Sequence, residues 1–174
     1  TLGADPGLAD AVAYATGRGS LIVSTAGNRD SSLAVEQSES DGVRYPAGFP
    51  EVLGVAATDS AGVVTDASIH GPHVRISAPG QLVLTASAAG ADCVYAPQAP
   101  ATSYAAGYVS AAAALVAAAH PDETPAQWAY RLEATAVRPA AGSRDDRAGW
   151  GVVQPWDAMT LIPGPGVRGP ASPF

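Results

Sequence analysis

Apolar positions in this chain fall into short blocks, and polar, Gly- and Pro-bearing segments separate them. Leu8, Ala9, Val12 and Ala13 recur at helical spacing. Asp5 precedes them as an N-cap and Pro6 takes the first helical position; Gly17 and Gly19 end the helix. Leu21-Ile22-Val23 is a continuous apolar run, the pattern of a strand buried on both faces. Ser24-Thr25-Ala26-Gly27-Asn28 then makes a turn at that strand's carboxyl end. Arg29 to Gly42 is polar and Ser-rich, a surface loop. Val52 to Ala57 predicts a second strand and Val74 to Ser77 a third. Leu82 to Leu84 predicts a fourth, after a turn at Ala78-Pro79-Gly80. Ala88 to Pro100 reads as a loop of small residues.

The longest pattern runs from about Ser103 to His120 and is almost entirely Ala, Gly, Ser, Val and Leu. A helix without a polar face is expected to be buried, and its small side chains let neighbouring backbones come close. Thr124-Pro125-Ala126-Gln127 is a capping-box start with Pro at the first position. Trp128, Leu132 and Ala136 share one stripe of the helix that follows. Gly149 to Leu161 holds a turn and a short helix. The stretch 163–174 repeats Pro and Gly and is expected to be a linker without a fixed fold. Strands alternate with helices and look buried, which gives an α/β fold with a mainly parallel sheet. Active sites in such sheets lie at the carboxyl ends of strands. The segments Ala26-Gly27-Asn28 and the approach to Ser103 occupy such places.

Composition narrows the function classes. The 174 residues are 47% hydrophobic, enough for a core, and only 14% charged, which argues against a disordered charged tail as the main body. All nine basic residues are Arg, and the net charge is −7. A nucleic-acid surface needs a basic face, so no nucleic-acid partner is expected, nor a polybasic membrane patch. No apolar run approaches the ~18 residues of a spanning helix. Cys93 is the single cysteine, so no internal disulfide forms. The chain opens at Thr1, so a processed or truncated start is expected.

Two features carry chemistry. Thr102-Ser103 stands at the amino end of the Ala-rich helix, where unpaired N–H groups and the helix dipole favour a nucleophile that develops negative charge. Asn28 ends a strand, where a carboxamide can donate to an oxyanion. Taken singly, Ser or Thr is more simply an N-cap and Gly-Asn more simply a turn. His70 and His73 lack the Cys or carboxylate pattern of a metal site, and no metal or cofactor is expected.

In order, the pieces resemble the subtilisin-like serine proteases, the subtilases. Thr1-Leu2-Gly3 resembles the family's substrate-binding strand and Ser24-Thr25-Ala26-Gly27-Asn28 its oxyanion-hole segment. Tyr45-Pro46-Ala47-Gly48-Phe49-Pro50-Glu51-Val52-Leu53-Gly54-Val55 resembles the stretch ending in a core strand. Val74-Arg75-Ile76-Ser77-Ala78-Pro79-Gly80 resembles the strand ending in Ala-Pro-Gly. Ala101-Thr102-Ser103-Tyr104-Ala105-Ala106 resembles the nucleophile motif, and His120-Pro121 and Gly149-Trp150-Gly151-Val152-Val153 follow in family order. The resemblance extends to Leu161. Ser103-Tyr104-Ala105-Ala106, Glu133-Ala134-Thr135-Ala136 and Gly151-Val152-Val153-Gln154-Pro155 look most like the mycosins, the subtilases of type VII secretion.

The resemblance implies a three-layer α/β/α domain over residues 1–162, incomplete at its N-terminal side, with 163–174 as tail. It implies Ser103 as nucleophile, Asn28 in the oxyanion hole, and Leu2, Gly3, Thr25, Ala26 and Gly27 along a peptide cleft. The family's Asp and His precede its substrate-binding strand, so both are expected upstream of Thr1, and this chain alone is expected to give no turnover. The implied partners are a polypeptide substrate, the upstream part of the same protease and type VII secretion components; the implied location is outside the cytoplasm, anchored to a membrane. Cys93 either pairs with an upstream cysteine or stays free. His70, His73 and Asp59 fall where the family has ordinary solvated connections, and His120 suits a helix end. Tyr45-Pro46 is expected to be cis.

Two residues depart from the pattern. Ala101 stands for the usual Gly and is strained if that position needs positive φ. Gly107 stands for the usual Pro and loosens the first turn. Three readings stay open: an endopeptidase, a degenerate subtilase that binds or scaffolds within a secretion complex, and an unrelated α/β domain.

Overall fold

The computed structural model describes residues 4–29, 40–138 and 143–174. Leu2 and Gly3 lie outside the described residues, as does most of the polar loop after Arg29. Helix α1 (Pro6–Gly17) begins as expected, with the Asp5 carboxylate accepting from the Leu8 N–H. Three strands follow, β1 (Ile22–Thr25), β2 (Val52–Thr58) and β3 (Ile76–Pro79). They form one parallel sheet in that order, with Ile22 opposite Val52 and Val55 opposite Ile76. Every residue of β2 is buried, because it has a strand on each side. β1 is only half-buried, not covered on both faces as its apolar run suggests. Among the described residues it pairs with β2 alone. The Tyr45-Pro46 bond is cis, as expected.

Ala88 to Pro100 is not simply loop. β4 (Val83–Ala86) and β5 (Asp92–Tyr95) form an antiparallel hairpin. The turn closes through the Ser87 N–H to the Ala91 carbonyl, and Gly90 takes the left-handed conformation there. Small and acidic neighbours hide β5, whose strand signal rests on Cys93-Val94-Tyr95 alone.

Helix α2 (Thr102–Ala119) lays Ala105, Val109, Ala112 and Val116 against Leu53, Val55, Ala57, Ile76 and Ala78 of the sheet. Its small side chains permit that close approach. The expected burial all round is not what occurs: a stripe is buried, while Tyr108 and Leu115 are exposed. At 18 residues α2 is also long and apolar enough to match a spanning segment by length and composition, against the expectation that no apolar run approaches that length. Ser103, Tyr104 and Ser110 break up the run.

Helix α3 (Pro125–Ala134) starts with the expected capping box between Thr124 and Gln127. The short α4 (Pro155–Thr160) completes this layer, and Leu132 and Ala158 are fully buried in it. Two bidentate pairs hold the layer: Arg75, just before β3, with Glu133, at 2.7 Å for both contacts, and Arg131 with Glu123, at 2.7 and 2.6 Å. On the other face of the sheet, Ala26, Ala56 and Val74 meet Val64 of a loop. Residues 163–174 contain no helix or strand. The chain nonetheless returns to α3, where the Phe174 and Tyr130 rings meet edge to face with centroids 5.7 Å apart and the Arg131 guanidinium lies 5.5 Å from the Phe174 ring centre.

Candidate functional site

The end of β3 sets the start of α2. Gly80 donates to the Thr58 carbonyl at 3.0 Å, and its own carbonyl accepts from the Ala101 N–H at 2.9 Å. A Cβ at Gly80 would stand 2.6 Å from the Ala57 methyl and 2.7 Å from the Ala101 carbonyl oxygen, so only glycine allows this contact. Ala101 has φ −134° and ψ 134°, an extended conformation open to any residue. The expected strain at Ala101 is therefore not present. Ala101 is also the N-cap, so Thr102 and Ser103 are the first two helical residues and neither is the ordinary cap their residue types suggest.

Ala has no side-chain acceptor, so the first N–H groups of α2 find partners elsewhere. Tyr104 and Ala105 donate to the Ala101 carbonyl at 3.2 and 3.3 Å. Thr102 donates both its N–H, at 2.8 Å, and its hydroxyl, at 3.1 Å, to the carboxamide oxygen of Asn28. The Ser103 N–H has no acceptor among the described residues. Ser103 is exposed, and its hydroxyl makes no hydrogen bond to them either. A backbone N–H can only donate, so it fixes which end of the Asn28 carboxamide is oxygen. The NH₂ end remains exposed as a donor beside the start of α2.

The arm that carries Asn28 is tied down at each residue. The Ala26 N–H donates to the Val55 carbonyl at 2.8 Å, and the Ala26 carbonyl accepts from His73 Nε2 at 3.0 Å. Ala26 is fully buried and supports the arm from within. Gly27 has φ +104°, and its carbonyl accepts from the Ile69 N–H at 2.9 Å. Asn28 makes an antiparallel bridge to Ser68, and Arg29 donates to the Ala67 carbonyl at 2.8 Å. The Arg29 guanidinium pairs with Asp41 and donates to the Ser68 and Asp66 carbonyls. Thr25 is half-buried and lies opposite Val55 in the sheet.

His70 and His73 are not solvated loop residues. Both are buried, since their segment covers the open face of the sheet. His70 donates its backbone N–H to Asp41 at 2.7 Å, and its ring lies 3.4 Å from the Thr65 carbonyl. Burial pushes the Asp41 carboxyl up, but the His70 N–H and the nearby Arg29 outweigh it and hold the group below the ordinary range. Asp59 accepts from the Ala61 and Val63 N–H groups and caps a turn. His120 ends α2 and contacts the Met159 carbonyl at 2.7 Å, a structural role as its position suggests.

The hairpin borders the same place. Tyr95 of β5 stacks on Tyr104, the residue after Ser103, with ring centroids 5.1 Å apart and planes 13° from parallel. Sequence reasoning passed over this pair, and also over Thr102 as anchor for Asn28 and Gly80 as anchor for Ala101. Only the Ala-Pro-Gly at 78–80 carried a readable signal. Together these elements set an exposed hydroxyl and an unpaired N–H at a helix N-terminus next to a carboxamide donor. Such a set stabilises negative charge on an oxygen as it develops.

Comparison with known proteins bears on that chemistry. A family model described as Subtilase family matches residues 2–151. Mycosin-2 of Mycobacterium tuberculosis is 38% identical over 130 residues, covering 68% of this chain and 24% of the relative. Mycosin-1 of the same organism is 37% identical over 124 residues, covering 67% and 28%. The chain thus spans about a quarter of the length of these two curated relatives. The crystal structure of MycP1 from Mycobacterium smegmatis matches with a TM-score of 0.70 and 31% identity, over 92% of this chain and 47% of that one. A chain in an intact ESX-5 inner membrane complex matches with a TM-score of 0.78 and 32% identity, over 100% of this chain and 44% of that one.

Proposed function

This chain belongs to the subtilase family, and from that membership we propose that it carries the nucleophile and oxyanion-hole part of a mycosin-like serine endopeptidase. The observation that carries the reading is the pairing of an exposed Ser103 hydroxyl and an acceptor-free Ser103 N–H with the Asn28 carboxamide beside them. Ser103 Oγ attacks a peptide carbonyl, and its proton passes to an imidazole supplied by the region upstream, which an upstream Asp orients. The carbonyl oxygen takes the charge and accepts from the Ser103 N–H and from Asn28 Nδ2. The amine leaves with the proton, and water then hydrolyses the acyl-enzyme. Thr25 and Gly27, at the end of β1 and on the arm that follows it, line the peptide cleft.

The substrate is a polypeptide, the site of action lies outside the cytoplasm, and the wider partners are components of a type VII secretion complex. The match to a chain of the ESX-5 inner membrane complex supports that setting and favours one second reading, a degenerate subtilase that scaffolds such a complex. A fluorophosphonate probe separates the two. In the protein expressed from its complete reading frame, the endopeptidase labels at Ser103 and Ser103→Ala abolishes the label. A folded protein that never labels is the scaffold.

A further inference from the structure

His73 is a buried histidine that the chemistry above does not use. Its side chain reaches the oxyanion arm from the loop on the opposite side, and Nε2 lies 3.0 Å from the Ala26 carbonyl. A carbonyl only accepts, so Nε2 carries the proton. In the neutral ring Nδ1 is then bare, and it is buried with no hydrogen-bond partner among the described residues. The loop is fixed in turn by the Val74 N–H to the Gly71 carbonyl and by the Arg144 guanidinium, which donates to the Val74 and Gly71 carbonyls.

We propose that His73 is a positioning residue for the oxyanion arm, holding Ala26-Gly27-Asn28 in place only while its ring is neutral, so that acid releases the arm. A second proton on Nδ1 would have no acceptor in place. The charged groups facing the ring are Arg44, Arg144 and Asp146; the two guanidiniums oppose a further positive charge and the carboxylate favours it. Burial is the larger effect and holds the ring below the ordinary histidine range, against the bond to Ala26. The folded form therefore binds this proton less well than the unfolded chain. Its hold is complete above ~6.5 and weakens as the pH falls below that value. A ring that charges must leave its place, and the Ala26 carbonyl loses its donor. The consequence for catalysis rests on the reading of Asn28 as an oxyanion donor.

Amide hydrogen exchange tests this without any turnover. The reporters are the bonded N–H groups of Ala26, Arg29 and Ile69, which tie the arm down. In the protein from its complete reading frame, their protection factors are expected to fall at least ~10-fold between about pH 7.5 and about pH 5, either side of the ordinary histidine value, while those of β2 do not. His73→Gln keeps a donor and does not titrate, so its protection is expected to persist in acid; His73→Phe is expected to lose it at both pH values. Unchanged protection in the acidified wild type, which needs no variant, overturns the proposal, and so does full protection in His73→Phe. Fluorophosphonate labelling of Ser103 is expected to slow in His73→Phe and recover in His73→Gln. A wild type that never labels defeats the protease reading and leaves the exchange result to decide this one.

Discussion

The carboxamide oxygen of Asn28 accepts two hydrogen bonds from Thr102, a residue 74 positions further along the chain. One contact thereby caps α2 in place of the side chain that Ala101 lacks, and aims the other end of the carboxamide beside Ser103. The two roles separate by substitution. Asn28→Asp keeps the acceptor and suits the positive end of the helix, so its melting temperature should stay within a few degrees of wild type. Its labelling or turnover should fall ~10²–10³-fold, because the donor is gone. Asn28→Ala should lose the same activity and also ~1 kcal/mol of stability with the cap. Equal activity in wild type and Asn28→Asp would remove Asn28 from the chemistry.

Ala101 and Gly107 are the two departures from the subtilase pattern beside Ser103, the proposed nucleophile, and the backbone treats them differently. Ala101 is extended, so Ala101→Gly relieves nothing; it should cost up to ~1 kcal/mol of stability through added freedom in the unfolded chain and leave Ser103 labelling unimproved. Gly107 lies within α2, and a Cβ there meets nothing within 4 Å. Gly107→Ala should therefore stabilise the protein by ~1 kcal/mol, seen as a rise of a few degrees in a thermal melt. A lower melting temperature would mean that the first turns of α2 are not helical as described.

Much of this was legible in the residues. Asp5-Pro6 and Thr124-Pro125-Ala126-Gln127 mark helix starts through local hydrogen bonds, so nearby sequence suffices to find them. The apolar runs at Val52 to Ala57 and along α2 predict β2 and the buried helix because burial favours apolar side chains whatever covers them. What escaped depends on pairing across long separations. β5 is a strand because β4 lies beside it, and His73 is buried because its loop closes the open face of the sheet. Tyr104 stands in the sequence only as part of the motif around Ser103, and its stack with Tyr95 exists only once the hairpin folds beside α2. Motif order brought Ser103 and Asn28 into one expectation, but only the fold revealed Thr102 as the link.

Acid should loosen the α3 layer through Glu123. The hydrogen bonds from Arg131 outweigh burial and hold the Glu123 carboxyl below its ordinary range. The folded form thus binds this proton less well than the unfolded chain, and the stabilisation is present above the ordinary carboxylate value and lost as the pH falls below it. Glu133 works in the opposite sense. Burial pushes its carboxyl up despite Arg75, so acid favours its folded form and it cannot cause the loss. Glu123→Gln should cost on the order of 2 kcal/mol at neutral pH, since a charged acceptor is lost from the buried Arg131. Denaturant curves for wild type and variant should converge as the pH drops through the carboxylate range; a gap that persists in acid would mean that packing, not charge, carries the contact.

Gly80→Ala should damage stability and the placement of Ser103 together, because one glycine joins the sheet to the start of α2. Its N–H and carbonyl are both engaged, with Thr58 on one side and Ala101 on the other. An added methyl meets the Ala57 side chain at 2.6 Å and the Ala101 carbonyl at 2.7 Å, and neither is the free end of a flexible side chain. β2 is buried along its whole length and cannot retreat, so the Ala101 segment must give. Overpacking of this kind costs ~1–3 kcal/mol, and the segment that moves carries Thr102 and Ser103. The variant should therefore melt several degrees lower and, at temperatures where it is still folded, react more slowly at Ser103 with a fluorophosphonate. Loss of stability with an unchanged labelling rate in the folded protein would show that the start of α2 is held by Asn28 alone.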